Sequence, residues 1–289
     1  MTRIRLALLR GVCQTPAYVA HARGFFADEG LDVEVKVSPT AWLVPEELLN
    51  GKSHFGVIPW TRVAAAERDE APLKVICGSG HEEAALVVRR GLDPAEVKSV
   101  AVPREGGIKD LTAMGLIDSM GWGAARQLRF PSGDGAILAF VGQGVDAASM
   151  VEPYATMCEV LGLGTVVRRT GDLWRGAPGC SLTASAELIA RDPELVQKVV
   201  TAYVRGARAV HADPSAAAAA AEPYIGVSQA IILKALGQNG PHIDALASHD
   251  AMEAILALMQ RLGYVAGHPH GFADLRFLAE AKRRLEHGA

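Results

Sequence analysis

The chain has 289 residues, 49% of them hydrophobic and 21% charged, with a formal net charge of -3. That is material for two lobes with a sizeable core, and the mild acidity excludes a nucleic-acid reader, which needs clustered positive charge. The four cysteines form no Cys-x-x-Cys pair, which argues against a zinc ribbon and a thioredoxin-type site, and four cysteines in a chain this long do not make a disulfide framework.

The first ten residues, MTRIRLALLR, carry Arg3, Arg5 and Arg10 and lack the apolar core of a secretory leader. As written the chain reads as cytoplasmic; a trimmed mature form would be periplasmic. No run reaches about 18 apolar residues, so membrane insertion is not expected.

Strand and helix periods then alternate. IRLALL is a buried strand. Pro16 opens a helix that Gly30 closes, and LDVEVKV alternates as a strand with one covered face. PEELLNG is a short helix, HFGVIPW a strand, TRVAAAER a helix and LKVICGSG a strand. This order predicts a parallel sheet with crossover helices. AALVVRRG leaves that lobe. A second α/β unit runs from VKSVAVPREGG through RQLRFP, GAILAFVGQG, VDAASMVEP and YATMCEVLG to GTVVRRT. CSLTAS crosses back, and the remainder is helical apart from turns. The expected lobes are residues 1–85 with 184–289, and 86–183.

Ligands of such sheets sit at the carboxyl ends of the strands, and two facing lobes make the cleft between them the default site. The loops so placed are Gly11–Pro16, Ser38–Trp42, Pro59–Thr61, Gly78–Glu82, Pro103–Gly107, Glu152–Tyr154 and Gly176–Cys180. They offer Cys13, Gln14, Thr40, Trp42, Trp60, Thr61, Ser79, Glu105, Glu152, Tyr154 and Cys180 as ligand-binding candidates. Trp42 and Trp60 would form a flat apolar wall. Thr40, Thr61 and Ser79 would donate hydrogen bonds. His268 and His270 lack a carboxylate pair at ligand spacing, and PREGG lacks the Lys-Ser/Thr ending of a phosphate loop. No metal and no cofactor are therefore expected.

The segments ARGFFADEGLDVEV, GVIPWTRVAAAE, GVDAASMVEPYATM and LTASAELIARDPELVQKVVTAYVRGA resemble the nitrate-, sulfonate-, taurine- and thiamine-pyrimidine-binding proteins. The likeness runs along nearly the whole chain. It implies a two-lobe α/β fold of the periplasmic-binding-protein type II, with the ligand in the inter-lobe cleft. It further implies lobe closure on a small anionic or heteroaromatic molecule (a sulfonate, a carboxylate or a pyrimidine), with an ABC permease as partner if the chain is exported.

A second likeness is local. A desulfinase of this fold uses a cysteine in a Cys-x-x-Pro loop, a histidine in a His-Phe pair and an arginine in a Tyr-Thr-Arg stretch. The matching pieces are CQTP, HF and WTR, with Cys13, His54 and Arg62. This resemblance implies a cytoplasmic enzyme cleaving a C–S or C–C bond, with a thiolate activated by a nearby cation. VAAAE stands where that enzyme has paired glycines. A further enzyme of the fold, which makes the thiamine pyrimidine, has a cysteine-rich cluster that this chain lacks.

Overall fold

The computed structural model describes residues 1–66, 72–105, 107–130 and 133–287. The helix expected over TRVAAAER is described as far as Ala66, and the last residues of that stretch and Gly106 lie outside the described residues.

Among the described residues, ten strands form two five-stranded sheets. The first holds β1 (Thr2–Leu8), β2 (Leu31–Val37), β3 (Phe55–Pro59), β4 (Leu73–Gly78) and β10 (Cys180–Ser185), in the order β2-β1-β3-β10-β4. The second holds β5 (Ala84–Arg89), β6 (Ser99–Pro103), β7 (Arg126–Phe130), β8 (Ala147–Val151) and β9 (Gly164–Arg169), in the order β7-β6-β8-β5-β9. Each sheet is mostly parallel with one antiparallel strand inserted. β10 pairs antiparallel with β3 and β4, and β5 with β8 and β9. Both inserted strands come directly off a crossover between the sheets, so the chain enters each sheet against its general direction. A purely parallel first sheet, the reading from local alternation, is corrected by β10.

β3 and β8 are buried at every position, as a strand covered on both faces must be. β2 shows the alternation of an edge strand. Helix Pro193–Ala212 lays its apolar face across helix Thr15–Ala22. Gly206 lets the two approach, since a Cβ there would press on Ala20 and the Pro16 carbonyl. Asp192 caps Pro193–Ala212 by accepting the Leu195 N–H at 2.9 Å, which divides the long helical stretch expected from Ala186 onward.

Two crossovers join the sheets, residues 79–83 between β4 and β5 and residues 170–179 between β9 and β10. They run side by side and bond to each other. Gly80 N–H donates to Cys180 O at 2.9 Å, Gly179 N–H to Gly80 O at 2.8 Å, and Glu82 N–H to Ala177 O at 2.8 Å. By its position between the two sheets, this pair of segments is the hinge region of the molecule. Among the described residues, no single helix is long and apolar enough to cross a membrane.

Candidate functional site

The carboxyl ends of β1, β2 and β3 face those of β6 and β8 across a cleft with about 820 Å³ of space, part of it open to solvent. From the first sheet come Leu9, Arg10, residues 38–42, Pro59 and Arg62; from the second come Pro103, Arg104, Lys109, Ser149, Met150 and Tyr154. Two contacts bridge the mouth of the cleft. The Arg104 guanidinium lies 4.3 Å over the Trp42 ring, and Arg62 Nη2 donates to Glu105 O at 3.4 Å.

Four cationic side chains, Arg10, Arg62, Arg104 and Lys109, line this cleft. Among the described residues its one lining carboxylate, Asp110, is buried and already committed: it accepts from Arg129 Nη1 at 2.6 Å and from the Tyr264 hydroxyl at 2.5 Å. The remaining field is positive. Burial, and then the Arg104 charge, push the Arg62 guanidinium below its ordinary value, and its Nε is buried with no hydrogen-bond partner. An anion at this point would satisfy the N–H and neutralise both arginines. The N-terminus of the helix Ile108–Ser119 opens onto the same space through Gly107, without a side-chain cap. Leu9, Pro39, Trp42, Ile137, Met150 and Tyr154 add apolar surface to the same lining.

Among the candidates read from the sequence, Thr40, Trp42, Arg62 and Tyr154 line the cleft. Glu105 stands at its rim, with Oε1 3.3 Å from Arg129 Nε. The others lie behind it. Trp60 is fully buried, donating through Nε1 to Pro178 O at 2.8 Å and stacking on Phe272 at 5.6 Å. Thr61 is buried in the same layer. Ser79 bonds to Cys13 O and lies 2.5 Å from the Tyr203 hydroxyl. Glu152 is buried against Arg169 Nη1 at 2.7 Å and accepts the Thr156 N–H at 3.0 Å. Gln14 accepts the Leu9 N–H at 3.2 Å and donates to Cys13 Sγ at 3.2 Å. Sequence reasoning missed Arg10, Arg104 and Lys109. Arg104 lies within the Pro103–Gly107 loop it had marked, and a basic residue directly after a buried strand is the signal that would have found Arg10 and Arg104.

Cys13 and Cys180 meet in the hinge, both buried, beside Glu83. The hydrogen bond from Cys180 favours the Cys13 thiolate, but burial and the neighbouring Glu83 together outweigh it, and the thiol is held above its ordinary value. Donating that bond, together with burial, raises Cys180 further. His54 is not brought to them. It stands at the foot of β3, one residue before the strand, whereas the cleft loops leave from its top about 16 Å away. Its Nδ1 accepts the Arg5 N–H at 3.0 Å.

Burial first, and then the Arg5 and Arg191 charges, lower the His54 imidazole below its usual 6.5. The folded state therefore binds this proton less readily than the unfolded chain. The stability it contributes is present above about pH 6.5 and is lost as pH falls through the lower folded value. Acidification from about pH 7 to about pH 5 is expected to lower the melting temperature, and less so in His54→Asn, whose amide oxygen keeps the Arg5 bond without titrating. Equal slopes in thermal scans of the two proteins would remove His54 as a source.

A family model described as the NMT1-like family matches residues 1–225. No curated protein matches the sequence. Solved structures share the fold at low identity. The ligand-binding component of an ABC-type import system from Staphylococcus aureus, solved with zinc bound, superposes with a TM-score of 0.85 at 14% identity, covering 98% of this chain and all (100%) of that one. The periplasmic nitrate-binding protein of Synechocystis gives 0.81 at 14%, covering 99% and 89%. The periplasmic aliphatic sulphonate-binding protein of Escherichia coli gives 0.75 at 14%, covering 93% and 95%. The two-lobe fold expected from the sequence resemblance is the fold found.

Proposed function

Because the chain belongs to the NMT1-like family, we propose that it captures a small organic anion, a sulfonate or a carboxylate with an apolar tail, by closure of its two lobes. The observation that carries this reading is Arg62, a desolvated guanidinium with an unpartnered Nε, set beside Arg104 in a cleft whose lining is also rich in apolar side chains. The charges would take the acid group and Trp42, Met150 and Tyr154 the tail. An inorganic anion such as nitrate would use only half of the surface. The solved neighbours described as a sulphonate-binding protein and as an import component favour the same class of ligand and an ABC permease as the recipient. Capture for an importer takes place outside the cytoplasmic membrane, which favours the periplasmic reading over the cytoplasmic one. We place the lobe boundaries within the two crossovers.

The enzyme reading with Cys13, His54 and Arg62 gains nothing from the geometry, since His54 stands away from the cleft and the Cys13 thiol is held protonated. Calorimetric titration with hexanesulfonate, benzoate, nitrate and neutral cytosine tests the proposal. The two organic anions are expected to bind most tightly, and to be recovered unaltered by mass spectrometry. Tighter binding of cytosine would sink it, and a product formed by the wild type but not by Cys13→Ser would restore the enzyme.

A further inference from the structure

The hinge holds three metal-ligating side chains that anion capture does not use. The Sγ atoms of Cys13 and Cys180 and a carboxylate oxygen of Glu83 all lie within 4.8 Å of one another, and all three residues are buried. The Glu83 carboxylate is only half employed. Oε1 accepts the Cys180 N–H at 2.7 Å, while Oε2 is buried with no hydrogen-bond partner. At 4% exposure, a carboxylate oxygen left without a donor costs free energy that a cation would recover.

Space for the cluster is made by glycines. A Cβ on Gly80 would meet Cys13 Cβ at 2.6 Å, and one on Gly179 would meet Glu83 Cγ at 2.5 Å. Neither glycine has a positive φ, so room rather than backbone freedom is what the missing side chain supplies. Four-coordinate zinc, with bonds of about 2.3 Å to sulfur and 2.0–2.2 Å to oxygen, sets its ligand atoms roughly 3.3–3.8 Å apart. The observed separations, all within 4.8 Å, exceed that spacing by about 1 Å or less at the upper limit.

We propose that Cys13, Glu83 and Cys180 form a binding site for a thiophilic divalent cation of the zinc class, with a fourth position for water. Two thiolates and one carboxylate are a donor set that selects zinc-like ions over magnesium or calcium. On binding, each cysteine gives up its thiol proton to solvent, and Glu83 binds through a carboxylate oxygen. The site ties together the loop after β1, the first crossover and the start of β10. Sequence spacing does not reveal it, because the three donors come from three distant segments that meet only at the hinge.

The test is titration of the reduced, metal-free protein with Co²⁺ as a spectroscopic probe, followed by Zn²⁺. The expected result is a saturable thiolate-to-cobalt charge-transfer band, displaced by Zn²⁺, absent in Cys13→Ser and Cys180→Ser, and weakened roughly tenfold or more in Glu83→Gln. A variant lacking the other two cysteines, Cys77→Ser with Cys158→Ser, should keep the band. On the wild type alone, native mass spectrometry should show one Zn²⁺ retained per reduced chain, so a variant that fails to fold does not leave the question open. Absence of a band and of retained Zn²⁺ in the folded wild type would overturn the proposal. So would a band that survives in Cys13→Ser.

Discussion

Replacing Arg62 by glutamine will weaken binding of the organic-anion probe by roughly tenfold to a hundredfold while leaving the fold intact. A hydrogen bond to a charged group is worth about 1.5–3 kcal/mol, and each 1.4 kcal/mol is a factor of ten. Little else depends on the side chain: its hydrogen bond to Glu105 O is long, at 3.4 Å, and its Nε has no partner. Arg62→Lys should fall between the two, because an ammonium keeps the charge and loses the planar fork that matches a sulfonate or carboxylate. Calorimetry on the three proteins reads the effect, with circular dichroism as the control for folding. The loss should change little with added salt, since a desolvated charge is poorly screened. If Arg62→Gln binds hexanesulfonate and benzoate as the wild type does, the anion does not sit against this residue.

Trp60→Ala will remove about 3–5 kcal/mol of stability, the usual range for truncating a fully buried large aromatic side chain. The indole is enclosed, stacked on Phe272, and anchors the second crossover through Pro178 O. Trp60→Phe separates the two contributions. It keeps much of the packing but strands the Pro178 carbonyl, at a cost of about 1–3 kcal/mol. Urea unfolding should rank wild type, Phe and Ala in that order. A loss below about 1 kcal/mol for Ala would mean the ring is not a core element, and would return it to the cleft wall where the sequence alone had placed it.

That misplacement is instructive. Trp60 opens a helix directly after β3, so it is a strand-end residue by position. Which way a strand-end side chain turns depends on the first helical turn, where Cα–Cβ bonds tilt back toward the helix start. Trp60 and Thr61 turn inward and Arg62 reaches the cleft. The loop was legible; the facing of successive residues within it was not. The same holds for Pro103–Gly107, where Glu105 was chosen and Arg104 reaches across to Trp42.

Alternating apolar periods in the sequence determined the α/β class, the two sheets and the set of loops at their common edge, because burial of a strand or helix face is written in local spacing. The family resemblance rests on contiguous segments and is likewise local. Tertiary structure decided the rest. The antiparallel insertion of β10 depends on where a crossover delivers the chain. The positive field of the cleft depends on Arg10, Arg62, Arg104 and Lys109 converging while Asp110 is occupied by Arg129 and Tyr264. Cys13 finds Cys180 and Glu83 rather than His54, although His54 is much nearer to it in the chain. A site made by packing distant segments leaves no spacing to read, since its geometry comes into being only when the two crossovers lie side by side.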